Sequence, residues 1–239
     1  MASTAYPFKI ILGSKSKARR EILEQMGYEF TIMTADIDEK AIRKEKPEDL
    51  VMALAEAKAD AIISKLQIAD IQVNDSEPTL LISADTVCIP FFKPAEATLP
   101  KPPNGDLRTD AGPTILITGD QVVVYEGMVR EKPSSKEEAR RYMKDYSGSK
   151  ASTVSSVLVT NLQTGFRKGE WDKVEILFDE IPDETIDKLI EEGAVLGVAG
   201  GLIIEHPLIL PLVKEVVGTT DSVMGLPKAV AERLISESL

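Results

Sequence analysis

Residues 114–122 read Thr-Ile-Leu-Ile-Thr-Gly-Asp-Gln-Val, and residues 79–87 read Thr-Leu-Leu-Ile-Ser-Ala-Asp-Thr-Val. Each stretch follows a proline, Pro113 or Pro78, and matching positions lie 35 residues apart (120 − 85). Short apolar runs rich in strand formers and bounded by a turn former predict buried strands. A buried strand with an acid at its C-terminal end is how α/β sheets present catalytic or metal-binding carboxylates. The chain therefore offers two candidates for one task, Asp85 and Asp120.

Around this pair, the composition narrows the function classes. The 239 residues, 43% of them hydrophobic, suffice for a sizeable core in one domain. A formal net charge of −11 argues against a protein that wraps a nucleic-acid polymer, since phosphate neutralisation needs surplus Lys and Arg. A small anionic substrate remains compatible if local basic residues and a divalent cation offset that charge. The single cysteine, Cys88, excludes an intramolecular disulfide and a thiolate zinc cluster, and fits a reduced, buried thiol. No apolar stretch has membrane-spanning length and no signal-peptide core is recognisable, so the expected location is cytoplasmic, away from membranes.

Reading outward along the chain, 8–12 is a first strand that breaks at Gly13-Ser14-Lys15-Ser16 into a helix over 17–26, stopped by Gly27. A second strand over 28–33 leads into the acidic turn Asp36-Ile37-Asp38-Glu39. Pro47 opens a helix whose apolar stripe, Leu50, Leu54, Ala57 and Ala61, runs to about Leu66. Between the two similar strands, residues 88–113 form a proline-rich insert that reads as an exposed loop. Ser135 and Glu138 make a capping box for a helix over about 136–145, and 154–160 with 173–178 form a hairpin around Gln163-Thr164-Gly165. Residues 186–190 continue a helix that Gly193 stops, and Pro227 opens a terminal helix. This alternation predicts an α/β fold with a mixed, twisted sheet flanked by helices.

Three places could carry chemistry. Ser14, Lys15, Ser16, Arg19 and Arg20 sit where a strand becomes a helix, and unpaired amides plus the helix dipole attract phosphate there. The competing reading is a helix cap followed by a solvated basic face. Asp38 and Glu39 could hold a hard divalent cation or be ordinary surface. Third, after Asp120 a turn at Glu126-Gly127 leads into a returning strand carrying Glu131 and Lys132, which brings Lys132 back towards Asp120. An acid beside a lysine suits attack of water on phosphorus: the carboxylate takes the proton and the ammonium neutralises phosphate. The competing reading is a hairpin with a surface ion pair. Lys58, mid-helix, reads as a lysine that buries its stem, and His206, beside Pro207, as a packing residue.

These motifs, in this order, resemble a family. Leu12-Gly13-Ser14-x-Ser16-x-x-Arg19-Arg20 is similar to the Ser-x-Ser-x-x-Arg opening of the Maf-like nucleotide pyrophosphatases, relatives of the inosine-triphosphatase fold. The acidic turn, the helix lysine Lys58, the run from Asp120 to Glu131-Lys132-Pro133, Tyr146-Ser147-Gly148 and the closing Val223-Met224-Gly225-Leu226-Pro227 resemble its later motifs. The resemblance spans nearly the whole chain outside the insert and implies one domain over 1–239, with two lobes around a cleft. It implies Mg²⁺- or Mn²⁺-dependent hydrolysis of a nucleoside triphosphate to monophosphate and pyrophosphate, with a homodimer as the assembly. By the same resemblance, Ser14, Ser16, Arg19, Arg20, Lys58 and Gln121 bind substrate. Asp120 is the general base, Glu39 supports the metal or the attacking water, Lys132 neutralises phosphate charge, and Glu39 and Asp120 hold the cation.

Two departures concern the base and the insert. Members acting on dTTP and UTP carry Gly-Ile-Gln-Gly where this chain reads Gly197-Val198-Ala199-Gly200, so Ala199 offers no amide to a pyrimidine. Asp120-Gln121 and the Arg19-Arg20 pair resemble the branch that acts on 7-methyl-GTP, and Glu205, shortly after the Gly pair, could face a cationic or donor-rich base. The alternative function is a nucleotide-binding regulator of the septation-inhibitor type, with the pocket kept and turnover lost; a purely structural interaction protein would leave the motif order to coincidence. Between the two acids, Asp85 is closer in sequence to Lys58 (85 − 58 = 27), but its strand leads into the insert. Asp120 stands twelve residues before Lys132 (132 − 120), so Asp120 is the expected base and Asp85 the duplicate.

Overall fold

The computed structural model describes residues 9–12, 16–27, 30–32, 34–68, 79–86, 115–162 and 164–239. Ser14, Lys15, Cys88 and the insert 88–113 lie outside them. In chain order the strands are β1 (Lys9–Leu12), β2 (Phe30–Ile32), β3 (Thr79–Thr86), β4 (Ile115–Tyr125), β5 (Met128–Arg130), β6 (Lys150–Asn161), β7 (Arg167–Phe178) and β8 (Val213–Val217). The helices are α1 (Lys17–Gln25), α2 (Pro47–Ile68), α3 (Lys136–Tyr146), α4 (Asp183–Glu192), α5 (Thr220–Val223) and α6 (Lys228–Ser238).

The strands form one mixed sheet in the order β2-β1-β3-β4-β6-β7-β8, with β5 paired to the outer end of β4. From β2 to β4 the pairing is parallel and from β4 onward antiparallel. The mixed α/β sheet expected from the sequence is therefore present. In strand β6 eleven consecutive residues after Lys150 are buried, because helices cover both faces.

Local chemistry sets the helix ends. Ser135 Oγ accepts from Glu138 N, while a Glu138 carboxylate oxygen accepts from Ser134 N, which starts α3. Gly193 ends α4 at φ 74°, a left-handed conformation that costs glycine little. Pro227 caps α6 from outside, and the helix itself begins at Lys228.

Adjacent residues of β4 point to opposite faces of the sheet. On one face α2 packs Leu50, Val51 and Leu54 on Val122 and Val154, and Ala55, Ala59 and Ile62 on Leu116 and Leu158. The other face carries two lobes. Helices α1 and α6 cover Ile117, Val157 and Val159, while α3, α4 and the 3-10 turns after Gly193 cover Val123, Val174 and Ile176. A cleft opens between these lobes, as the two-lobed architecture requires.

The two similar strands lie side by side, parallel and in phase: Leu81 pairs with Leu116, and Asp85 with Asp120. They are not interchangeable. A Cβ added at Gly119 would stand 2.3 Å from the Ser156 carbonyl oxygen, closer than any real Cβ contact. The first copy has Ala84 at the matching position, so only the second copy fits beside β6.

Candidate active site

Asp120 is carried by β4. The strand does not end at the acid but continues to Tyr125, which places Asp120 mid-strand. The parallel pairing with β3 stops at Gln121 and the pairing with β5 starts at Val123, so Asp120 sits next to the change of partner. The ladder to β6 is also interrupted there: Asp120 N donates to Ser156 Oγ at 3.0 Å, and that hydroxyl donates to Val51 O on α2 at 2.8 Å.

Asp120 projects to the α2 face and is fully buried. Lys58 Nζ donates to its Oδ1 at 3.0 Å, and the same ammonium stands 3.0 Å from Glu39 Oε1. The reading of Lys58 as a lysine with a solvated head is thus corrected: it is 1% exposed, with its charge between two carboxylates. A signal was available, since Val51, Leu54, Ala55, Lys58 and Ile62 share one helical stripe and all are buried. Burial pushes the Asp120 carboxyl up to about 7, against the lowering effect of Lys58 and Arg19. Its second oxygen, Oδ2, is buried without a partner among the described residues.

The cleft, about 370 Å³, lies on the opposite face. Gln121, Val123 and Thr153 line it from the sheet, and Ser16, Lys17 and Lys132 supply hydroxyl and ammonium groups. Val198, Ala199, Leu202 and Ile204 give it an apolar wall that includes the carboxylate of Glu205. Polar and cationic side chains with an apolar wall suit a nucleotide, its phosphates on the first and its base on the second. Lys132 does not travel on a returning strand: β5 ends at Arg130, because Glu131 O accepts instead from Gly200 N at 2.9 Å. The ammonium paired with Asp120 is that of Lys58, while Lys132 is an exposed residue of the cleft.

Arg19 joins the two halves. It is 1% exposed, its Nε donates to Gly225 O at 3.1 Å, and its charge acts on Asp120. Ser16 both caps α1, its hydroxyl accepting from Arg19 N at 3.4 Å, and lines the cleft. Arg20 Nε donates back to Ser16 O at 3.4 Å. Gln121, expected to bind substrate, uses its amide nitrogen within the protein: Nε2 meets Val223 O at 2.7 Å, Ser222 O at 2.9 Å and Ser155 Oγ at 3.0 Å. His206 Nε2 stands 2.9 Å from Glu192 Oε2, away from the cleft lining.

The donors near Asp120 fit a hard cation. Glu39 and the unpartnered Oδ2 of Asp120 are oxygen donors of the kind Mg²⁺ and Mn²⁺ take. Among the described residues no three acidic, His or Cys side chains converge.

Comparison with known proteins places the chain. The sequence profile described as "Maf-like protein" matches residues 9–109 and 104–238. A 7-methyl-GTP pyrophosphatase of Dictyostelium discoideum is 33% identical, covering 95% of this chain and 96% of that protein. A dTTP/UTP pyrophosphatase of Agathobacter rectalis is 28% identical over 92% and 93% of the two chains. A 7-methyl-GTP pyrophosphatase of Idiomarina loihiensis is 26% identical over 76% and 70%. With sheet, cleft and sequence in agreement, the chain belongs to the Maf-like protein family.

Proposed function

We propose that this protein is a nucleoside triphosphate pyrophosphatase, hydrolysing its substrate to a nucleoside monophosphate and pyrophosphate. The reading is supported by the names of its relatives and by one observation above others: a buried carboxylate poised near neutrality, held by a lysine, behind a cleft lined with cations. Water attacks one phosphorus in line. Asp120 takes the proton on Oδ2, while Lys58 fixes Oδ1 and Glu39 holds Lys58 in turn. Arg19, Ser16, Lys132 and, by the sequence motif, Ser14 neutralise phosphate charge that grows on the leaving pyrophosphate. Glu39 would hold a Mg²⁺ or Mn²⁺ ion, which would neutralise phosphate and acidify water; Asp120 could share the ion only before its Oδ2 takes the proton.

The preferred base is a modified purine of the 7-methyl-GTP kind. Ala199 and Glu205 both line the cleft: the first offers no side-chain amide to a pyrimidine, and the carboxylate of the second would favour a methylated, cationic ring. A cytoplasmic location, expected from the sequence, and a homodimer, expected from the family resemblance alone, complete the reading. Release of pyrophosphate with Mg²⁺, over a panel of natural and methylated triphosphates, tests it. No release from any member of the panel would reject it.

The alternative, a nucleotide-binding regulator without turnover, draws on one observation: Asp120 and Lys58 lie on the far face of β4, sealed from solvent. Saturable nucleotide binding without pyrophosphate release would favour it.

A further inference from the structure

The C-terminal turn 222–225 lies against the catalytic strand, and the function above gives it no task. Its carbonyls end the short α5, where acceptors are left over. Two of them, Ser222 O and Val223 O, receive the Gln121 amide nitrogen, and Ser155 Oγ donates to Ser222 O at 2.9 Å. The last residue of the turn is buried, and its carbonyl, Gly225 O, receives Arg19 Nε. Gly225 itself is at φ 102°, and a Cβ there would stand 3.0 Å from Arg19 Nε, 3.1 Å from Arg19 Nη2 and 3.3 Å from Gln121 Oε1. The positive φ favours glycine here, and a side chain at this position would press the Arg19 guanidinium out of its place.

We infer that the turn 222–225 is a positioning element for substrate binding. Gln121 holds the turn through Ser222 O and Val223 O, and the turn's Gly225 O holds the Arg19 guanidinium beside the cleft. Arg19 lies next to the Ser16 cap and is buried, so its aim is set by what it donates to rather than by solvent. A guanidinium fixed in advance binds phosphate without the entropy cost of immobilising it. The inference rests on the nucleotide-binding part of the proposed function and not on turnover.

The test is a double-mutant cycle read by calorimetry with inorganic tripolyphosphate and Mg²⁺, a probe that carries no base. Gly225→Ala is expected to raise the Kd at least about tenfold in the parent chain, the loss of one charged hydrogen-bonding partner. In an Arg19→Ala background the same substitution is expected to change the Kd less than about twofold, because the group it displaces is gone. Should Gly225→Ala fail to fold, Gln121→Thr, which cannot span to Ser222 O and Val223 O, enters the cycle with the same expectations. Equal losses in both backgrounds, or a parent chain that does not bind tripolyphosphate, would overturn the inference. A parent that binds tripolyphosphate but releases no pyrophosphate counts against the enzyme and leaves the turn's role standing.

Discussion

Lys58 Nζ stands 3.0 Å from Asp120 Oδ1, and neither side chain reaches solvent. Removing the ammonium leaves an unpaired carboxyl in the interior next to Glu39. Lys58→Met is therefore expected to lower stability by about 3–5 kcal/mol in urea titrations, and to abolish pyrophosphate release. A variant of parental stability and activity would show the pair to be idle.

The pH dependence follows from the direction of the Asp120 shift. Unfolded, the group ionises at its ordinary 3.8; in the fold it ionises at about 7. Between these values the native state binds the extra proton, so the contribution to stability is full below the lower value and is lost as pH rises to about 7. The stability difference between the parent and Asp120→Asn, measured from pH 4 to 8, is expected to move against the parent as pH rises. The rate constant kcat/KM is expected to rise with pH through an acid limb near 7, as the base loses its proton.

Gly119 is fixed by the close approach of Ser156 O. Gly119→Ala must push β4 from β6, costing about 1–3 kcal/mol as an overpacked core does. Thermal or urea unfolding measures this, and an unchanged midpoint would contradict the strand assignment.

The in-phase pairing of the two similar strands makes a deletion informative. A chain without residues 79–113 joins residue 78 to Thr114, and Leu12, now paired with Ile82, would meet Ile117 35 residues on. That chain is expected to fold with β1 against β4 and to keep its hydrolytic activity, with stability altered by no more than about 2 kcal/mol. Loss of folding would make β3 an integral strand instead of a duplicate.

Base preference is expected to turn on Glu205. Replacing it with glutamine removes one charge from the cleft wall, worth about 1 kcal/mol at a solvated position. Glu205→Gln should narrow the preference for 7-methyl-GTP over GTP by roughly fivefold in kcat/KM, with the GTP value little changed.

The strands and helices were legible because hydrophobic period, proline, glycine and capping residues act locally: Pro47, Gly193 and the Ser135–Glu138 box each mark an end found in the fold. The paired motifs were legible as residue types, and the order of motifs pointed to the family. What sequence could not convey was partnership across the sheet. Lys58 and Lys132 were equal as lysines; only the packing of α2 on one face of β4 decides which reaches Asp120. Likewise Asp120 and Gln121 are neighbours in the chain yet face opposite sides, and the Gln121 amide meets carbonyls a hundred residues away. The Ser156 contact that separates Gly119 from Ala84 is a backbone approach, invisible in any local pattern.

The central claim is that Asp120, and not its copy Asp85, activates water. Pyrophosphate release with Mg²⁺ from 7-methyl-GTP should be measured for the parent, Asp120→Asn and Asp85→Asn. Expected is a fall of at least about a hundredfold in kcat for Asp120→Asn, the usual scale for losing a general base, with Asp85→Asn keeping most of the activity. An active Asp120→Asn beside an inactive Asp85→Asn would contradict the assignment.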